Sequence, residues 1–380
     1  MNGVLVPHPL ETGRFEAFLP SPCVQNHAAN LAFLPDGTLA CVWFGGTMEG
    51  MGDISIYMST LLPGSATWSQ PQKMSDDPQR SEQNPVLFTA PSGDVWLIFT
   101  SQVSGNQDGA IIKKRVSVDG GQSFGPVAVL CDIPGTFVRQ PPVVNGSGAW
   151  LLPVFRCIGE PGLRWSGDID TAAVLLSNDD GASWAMVEVP DSIGAVHMNI
   201  VAQQHGPLVA LFRNRFAEQI LRSVSHDEGL SWSAPEPTSL QNNNSSIQAV
   251  RLLNSRLAVV FNDSNALSSS DRRLSLYDEI DDQAEAATEA VPPVVNDDRR
   301  KAVWGVPRSP MSLAFSRDDG VSFERYAELD TGDGYCLTNN SKDALNREYS
   351  YPTIVEGADG VLHIAYTYYR RAIKYVRLTL

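Results

Sequence analysis

Four polar runs recur along the chain, each just ahead of an apolar stretch of strand length. They are Arg80-Ser-Glu82-Gln83-Asn84-Pro85, Val138-Arg139-Gln140-Pro141, Asn242-Asn-Asn244-Ser-Ser246-Ile-Gln248 and Trp304-Gly-Val-Pro-Arg308. A guanidinium offers a planar fork of donors that matches a carboxylate, while Asn and Gln amides both donate and accept. Such a set suits an anionic, hydroxyl-rich ligand. His27 and His197 stand in comparable runs, Asn26-His27-Ala-Ala-Asn30 and Val196-His197-Met-Asn199. An imidazole titrates near neutrality and can serve as acid or base without heavy tuning. His8, His205 and His226 fall in the tail, in a turn and in a repeat, and His363 alternates with apolar residues, so these four read as structural or solvated. Two histidines without a third ligand at metal spacing do not make a zinc site, and no metal or cofactor is expected.

Elements must bring these runs together, and composition narrows which. The chain has 380 residues, 30 Gly and 25 Pro, which spells many turns rather than long helices. With 28 Lys and Arg against 43 Asp and Glu, the net charge of −15 argues against a phosphate backbone as partner. No apolar run approaches the roughly 18 residues of a membrane span, and the start lacks a signal-peptide pattern. Five widely spaced cysteines read as reduced, buried thiols, so a cytosolic location is expected.

Repeats supply the architecture. Ser117-Val-Asp119-Gly-Gly121-Gln-Ser123-Phe124 returns as Ser177 to Trp184, Ser225 to Trp232 and Ser316 to Phe323. A hairpin explains each position: the Asp carboxylate accepts turn N–H groups, the Gly takes positive φ, and the aromatic packs between strands. These aspartates are structural. A second turn type leads into apolar runs at Gly37, Gly93, Gly148, Gly206, Ser255 and Gly360; the steps are 56, 55, 58, 49 and 105 residues, the last a double unit. Periods near 50 residues with four short strands are the mark of propeller blades. The expected fold is an all-β, six-bladed propeller, with seven blades as the alternative, forming a single domain over 1–380. The charged, Ala-rich stretch 265–303 reads as an insertion in the fifth blade, with room for a short helix. Starts of inner strands converge on a central channel, so the polar runs would share one pocket.

The Asp boxes and the blade period resemble the sialidase (neuraminidase) superfamily, in its BNR/Asp-box branch, over nearly the whole chain. Stretches such as NHAANLAFLPDGTLACVWFGGTMEG, LFRNRFAEQI and LNREYSYPTI carry the resemblance. It implies the fold and a residue-by-residue carry-over. His27 stands where the carboxylate-binding arginine of the first blade would be, and His197 where the glutamate that activates the nucleophile would be. Arg213 matches an arginine at a strand end, and Tyr349 in Glu348-Tyr349-Ser350 matches the tyrosine nucleophile. Glu49 and Asp53 are the nearest counterparts of the acid/base aspartate.

With a histidine in place of the activating glutamate, the set suits a different reaction: removal of the proton α to a carboxylate, followed by β-elimination. The His/Tyr/Arg composition is similar to that of propeller-fold uronate lyases acting on ulvan or rhamnose–glucuronate. The expectation is an exo-acting enzyme on a terminal carboxylated sugar of an anionic oligosaccharide, with His27, His197, Tyr349 and Arg213 as the reacting set. Glu49, Arg80, Gln83, Arg139, Gln140, Asn199, Arg215, Asn244, Gln248, Arg308, Tyr335, Asn340 and Arg371 are the expected substrate contacts. A sialidase-like hydrolase with Tyr349 as nucleophile and a glycan-binding propeller without chemistry are the alternatives.

Overall fold

The computed structural model describes residues 1–103, 107–160, 165–201, 206–273 and 298–380. Six four-stranded antiparallel blades follow one another along the chain. After β1 (Val6–Pro7) and β2 (Arg14–Phe18), blade 1 comprises β3 (Gln25–Phe33), β4 (Leu39–Gly46), β5 (Ser55–Leu61) and β6 (Gln72–Lys73). Blade 2 holds β7 (Arg80–Thr89), β8 (Val95–Val103), β9 (Ile111–Ser117) and β10 (Ala128–Cys131). In blade 3 the inner strand is split into β11 (Thr136–Val138) and β12 (Val143–Val144), followed by β13 (Trp150–Arg156), β14 (Thr171–Ser177) and β15 (Ala185–Glu188). Blade 4 has β16 (Ala195–Val201), β17 (Leu208–Asn214), β18 (Gln219–Ser225) and β19 (Glu236–Gln241). Blade 5 has β20 (Gln248–Arg251), β21 (Leu257–Asn262), β22 (Met311–Ser316) and β23 (Glu324–Asp330). Blade 6 joins β24 (Tyr349–Glu356), β25 (Leu362–Tyr368) and β26 (Ala372–Leu378) to β2 and β1 from the start of the chain.

Pairing of β2 with β26 leaves blade 6 without an open edge at β26, and a half-buried charge cluster ties it down. Lys374 pairs with Asp330 at 2.8 Å and Glu16 at 3.0 Å, and Tyr366 donates to Asp330 at 2.6 Å. Apolar clusters run between neighbouring blades, such as Ala40, Val42 and Phe44 against Leu97 and Phe99. The 105-residue step from Ser255 to Gly360 takes in the long β21 to β22 connection of blade 5, 263–310; residues 274–297 of the expected insertion, and His205, lie outside the described residues. Among the described residues no helix is long and apolar enough to cross a membrane.

The Asp boxes join the third and fourth strands of blades 2 to 5. In each, the first serine hydroxyl donates to the aspartate, and the aspartate accepts the backbone N–H of the second serine, as at Asp179 with 2.8 Å for both. Gly181 has the positive φ that the turn demands, +80°. These bonds lower the Asp179 carboxyl to about 2, first through Ser183. A carboxyl depressed by folding stabilises above its unfolded pKa of about 3.9, and that contribution fades as pH falls toward the folded value. Asp179→Asn is therefore expected to lower the melting temperature at pH 7, with the gap to wild type closing between about pH 4 and 2; calorimetry across that range is the check.

Candidate active site

The inner strands of four blades break in the same way. Between His27 and Asn30, Gln83 and Val86, Val196 and Asn199, and Ser350 and Thr353, two residues on the inner strand oppose one on its partner. The first residue of each bulge is left-handed: Ala28 (φ 60°), Asn84 (50°), His197 (52°) and Tyr351 (53°). Asn244, ahead of β20, has φ 57°, and in blade 3 the gap between β11 and β12 holds Arg139 and Gln140. Left-handed geometry costs a residue with a Cβ about 1–2 kcal/mol, so five such positions around one axis are held by their surroundings.

Tyr351 occupies the middle of this ring of breaks. Its hydroxyl accepts from Arg213 Nη1 at 2.7 Å, and the Arg139, Arg213 and Arg308 guanidinium carbons lie 5.3, 5.7 and 5.6 Å from its ring centroid. His27 and His197 flank it at 4.2 and 5.5 Å between ring centroids. Arg213 also donates to Asn244 Oδ1 at 2.7 Å and makes a long contact, 3.4 Å, to His197 Nε2. An arginine only donates, so Nε2 of the neutral His197 ring is the acceptor and Nδ1 carries its proton. At His27, Thr367 Oγ1 accepts the Ala28 N–H at 3.2 Å and lies 2.8 Å from Nδ1. This contact holds the His27 ring in place through Nδ1. His27 Nε2 and His197 Nδ1 are buried with no protein partner among the described residues. Burial, reinforced by Arg370 at His27 and by Arg213 at His197, holds both pKa values well below 6.5, so both rings are neutral.

Two ion-pair systems surround the cluster. Arg215 pairs with buried Asp170 at 2.7 Å and lies over the rings of Phe155, Trp165 and Trp304. Glu348 takes Arg308 at 3.2 Å and Arg370 at 2.9 Å, and Arg370 also pairs with Glu49. Arg308 and Arg370 together hold the buried Glu348 carboxyl well below the usual range despite its desolvation. Among the described residues Arg139 and Arg213 pair with no carboxylate, and burial lowers them to about 10 and about 9. The cavity beside Tyr351 has a volume of about 20 Å³ and is lined by Glu49, Gln83, Phe155, His197, Arg213 and Arg215 among others.

Of the expected residues, the structure brings together His27, His197, Arg213, Arg215, Asn244, Arg308, Glu49 and Gln83. It does not bring Tyr349 there. The Tyr349 hydroxyl donates to Thr331 O at 2.8 Å and meets Tyr369 at 3.2 Å, and burial pushes its pKa up. Tyr351, two residues on, is the tyrosine of the channel. Arg139 is buried beneath it, donating at 3.1 and 3.2 Å to the carbonyls of Ala29 and Tyr351, and does not line the cavity. Gln140 and Gln248 bond each other at 2.8 Å across the axis, and Asn199 accepts the Ala249 N–H; all three satisfy backbone or one another. Arg80 is spent on Ser101 and Gly109, and Asn340 on its own turn. Tyr335 lines a separate cavity of about 300 Å³, and Arg371 lies over Tyr369, 5.1 Å from the ring centroid. The Trp304–Arg308 run precedes the third strand of blade 5, not its inner strand, and reaches back over the channel. Tyr351, Glu348, Arg370, Thr367 and Asp170 were missed. For Tyr351 a signal existed: like Asn84 and Gln140 it directly precedes a proline at the inner-strand break.

Among the described residues no group of three His, Cys, Asp or Glu could hold a metal ion. Because Glu348 neutralises two buried arginines, Glu348→Leu is expected to cost about 3–5 kcal/mol of unfolding free energy. Denaturant titration reads this directly, and a loss below about 1 kcal/mol, that of a solvent-exposed pair, would contradict the pairing.

Residues 37–364 match the BNR repeat-like domain. No curated protein matches the chain in sequence. Among solved structures it is similar to a Dyadobacter fermentans protein of unknown function, with 13% identity, TM-score 0.67, and 97% of this chain covering 100% of that one. It is also similar to a Hadza microbial sialidase, Hz136, at 13% identity and TM-score 0.67 over 94% of this chain and 66% of that one. The NanB sialidase of Streptococcus pneumoniae aligns at 12% identity and TM-score 0.64 over 99% of this chain and 71% of that one. The chain spans between 55% and 71% of the length of the sialidases it resembles. At such identities the likeness concerns the fold, and that fold is the six-bladed propeller of the sialidases. By the match across most of its length, the chain belongs to the BNR repeat-like domain family.

Proposed function

We propose that the channel takes the carboxylate of a terminal acidic sugar and that Tyr351 and Arg213, flanked by His27 and His197, carry out β-elimination. One observation supports elimination over hydrolysis with a tyrosine nucleophile: no carboxylate among the described residues hydrogen-bonds Tyr351, whose hydroxyl partner is Arg213. Glu348, the nearest acidic residue in sequence, is occupied by Arg308, Arg370 and the Ser350 hydroxyl. A nucleophilic tyrosine calls for an adjacent base, whereas a guanidinium against the hydroxyl supports negative charge on oxygen.

In this reading, guanidinium groups draw charge from the substrate carboxylate and acidify the carbon next to it. The Tyr351 oxygen, in contact with Arg213 Nη1, is the base that removes that C5 proton. The C4–O bond breaks as the C4–C5 double bond forms, and the tyrosine hydroxyl returns the proton to the departing oxygen. The His197 Nδ1–H is an unspent donor for the charge developing on the carboxylate, and His27 Nε2, beside the same tyrosine, is buried without a partner among the described residues. A space of about 20 Å³ holds one small polar group and no sugar ring, so binding requires the wall to move, Glu49 and its tie to Arg370 included.

Incubation with uronate-terminated and sialate-terminated oligosaccharides, read by ultraviolet absorbance and mass, tests the proposal. The expected product absorbs and conserves total mass; Tyr351→Phe abolishes it by at least about a hundredfold, the usual range for acid–base catalysis, and Tyr349→Phe leaves it. Gain of one water with release of sialic acid would establish the hydrolase instead, and binding without turnover a glycan-binding propeller. Because both imidazoles are held well below their ordinary 6.5, they are neutral at that pH and above it. The rate profile should therefore lack an acid limb centred near 6.5; a limb there that His197→Gln removes would contradict the neutral-donor role.

A further inference from the structure

A larger cavity lies away from the channel. It is a cleft of about 890 Å³ between blades 1 and 6, at the opposite strand ends from the bulges: β3 begins near His27 and ends at Phe33, and β24 begins at Tyr349 and ends before the Gly357–Gly360 turn. Its blade 1 wall is apolar, formed by Phe33, Leu34, Leu61 and Leu62, and Leu62 is 61% exposed. Pockets of several hundred Å³ with apolar walls and a few placed polar groups are what drug-sized molecules occupy.

The blade 6 wall carries the polar groups. Arg377 stands opposite His363 on one neighbouring strand and Phe15 on the other, its guanidinium 4.4 Å from the Phe15 ring centroid. It is half-buried and makes no ion pair among the described residues. Asp359, at the rim, is exposed, with Oδ1 accepting the Val361 N–H at 3.2 Å. Water screens that carboxylate far more than it screens the arginine. His363 is neutral, its pKa lowered to about 4 by burial, and its Nδ1 is 2.6 Å from the Tyr375 hydroxyl. One half-buried cation, with one exposed carboxylate at the rim, thus faces an apolar wall in a protein of net charge −15.

We infer that this cleft binds an amphipathic organic monoanion, an alkyl carboxylate whose head group meets Arg377 and whose chain lies along Leu34, Leu61 and Leu62. This is independent of the sugar chemistry at Tyr351. Calorimetric titration of the full chain with straight-chain carboxylates of six to twelve carbons, below micelle formation, tests it against alcohols of equal length. Affinity should rise by about fourfold per methylene, the transfer value of one buried CH₂, and each carboxylate should bind tighter than its alcohol. Arg377→Met, which keeps cover over Phe15, should erase that preference. Leu62→Asp, at an exposed position, should weaken binding at least tenfold, and Tyr351→Phe should leave it intact. Binding independent of chain length, equal binding of alcohols, or a preference that survives Arg377→Met would overturn the inference. So would a dimer that Leu62→Asp dissociates while carboxylates give no heat, which would assign the cleft to a second copy.

Discussion

The site rests on a repeated constraint: at four inner strands, two residues must share the space opposite one, and the first must turn left-handed. The bulge lets strands pair on both sides of it while aiming a side chain off the pleat and toward the axis. Ala28, Asn84, His197 and Tyr351 meet this demand without being glycine. Their strain is met locally, by Thr367 beside Ala28 and by Arg139 beneath the Tyr351 carbonyl. Arg139 comes from blade 3 and bonds carbonyls of blades 1 and 6, so one side chain ties three blades at the point where the tyrosine is presented.

Charge is then distributed with economy. Asp170 and Glu348 neutralise Arg215 and the Arg308–Arg370 pair, which leaves Arg139 and Arg213 as buried cations without carboxylates among the described residues. A buried cation is tolerated only when it is hydrogen-bonded or when an anion arrives. Arg139 bonds carbonyls through Nη2 alone, with Nε and Nη1 unpartnered among the described residues; Arg213 faces Asn244, Tyr351 and the cavity. For the acidic sugar proposed as ligand, the overall negative charge of the protein does nothing to draw it in, and attraction would come from this local pocket.

Much of the fold was legible because its signals are local. Each Asp box contains its own hydrogen bonds and its own left-handed glycine, and counting turns counts blades. The site was legible in part. His27 and His197 stand at inner-strand breaks that the spacing marks, and Arg213 at a strand end. Tyr349 and Tyr351 differ by two residues on one strand, and only the register shift between Ser350 and Thr353 decides which faces the axis. Arg80 and Asn340 looked like ligand contacts because polar runs ahead of strands also serve to satisfy backbone. The Glu49–Arg370–Glu348–Arg308 chain joins residues as far as 321 positions apart, and no local pattern announces such pairing.

The central claim is that Tyr351, held by Arg213 and not by a carboxylate, removes a proton from carbon. It is tested most directly by comparing turnover of a uronate-terminated oligosaccharide bearing hydrogen or deuterium at C5. The account predicts a normal primary isotope effect on kcat/KM that vanishes with activity in Tyr351→Phe. Equal rates for the two substrates, with oxygen from labelled water in the sugar product, would contradict it.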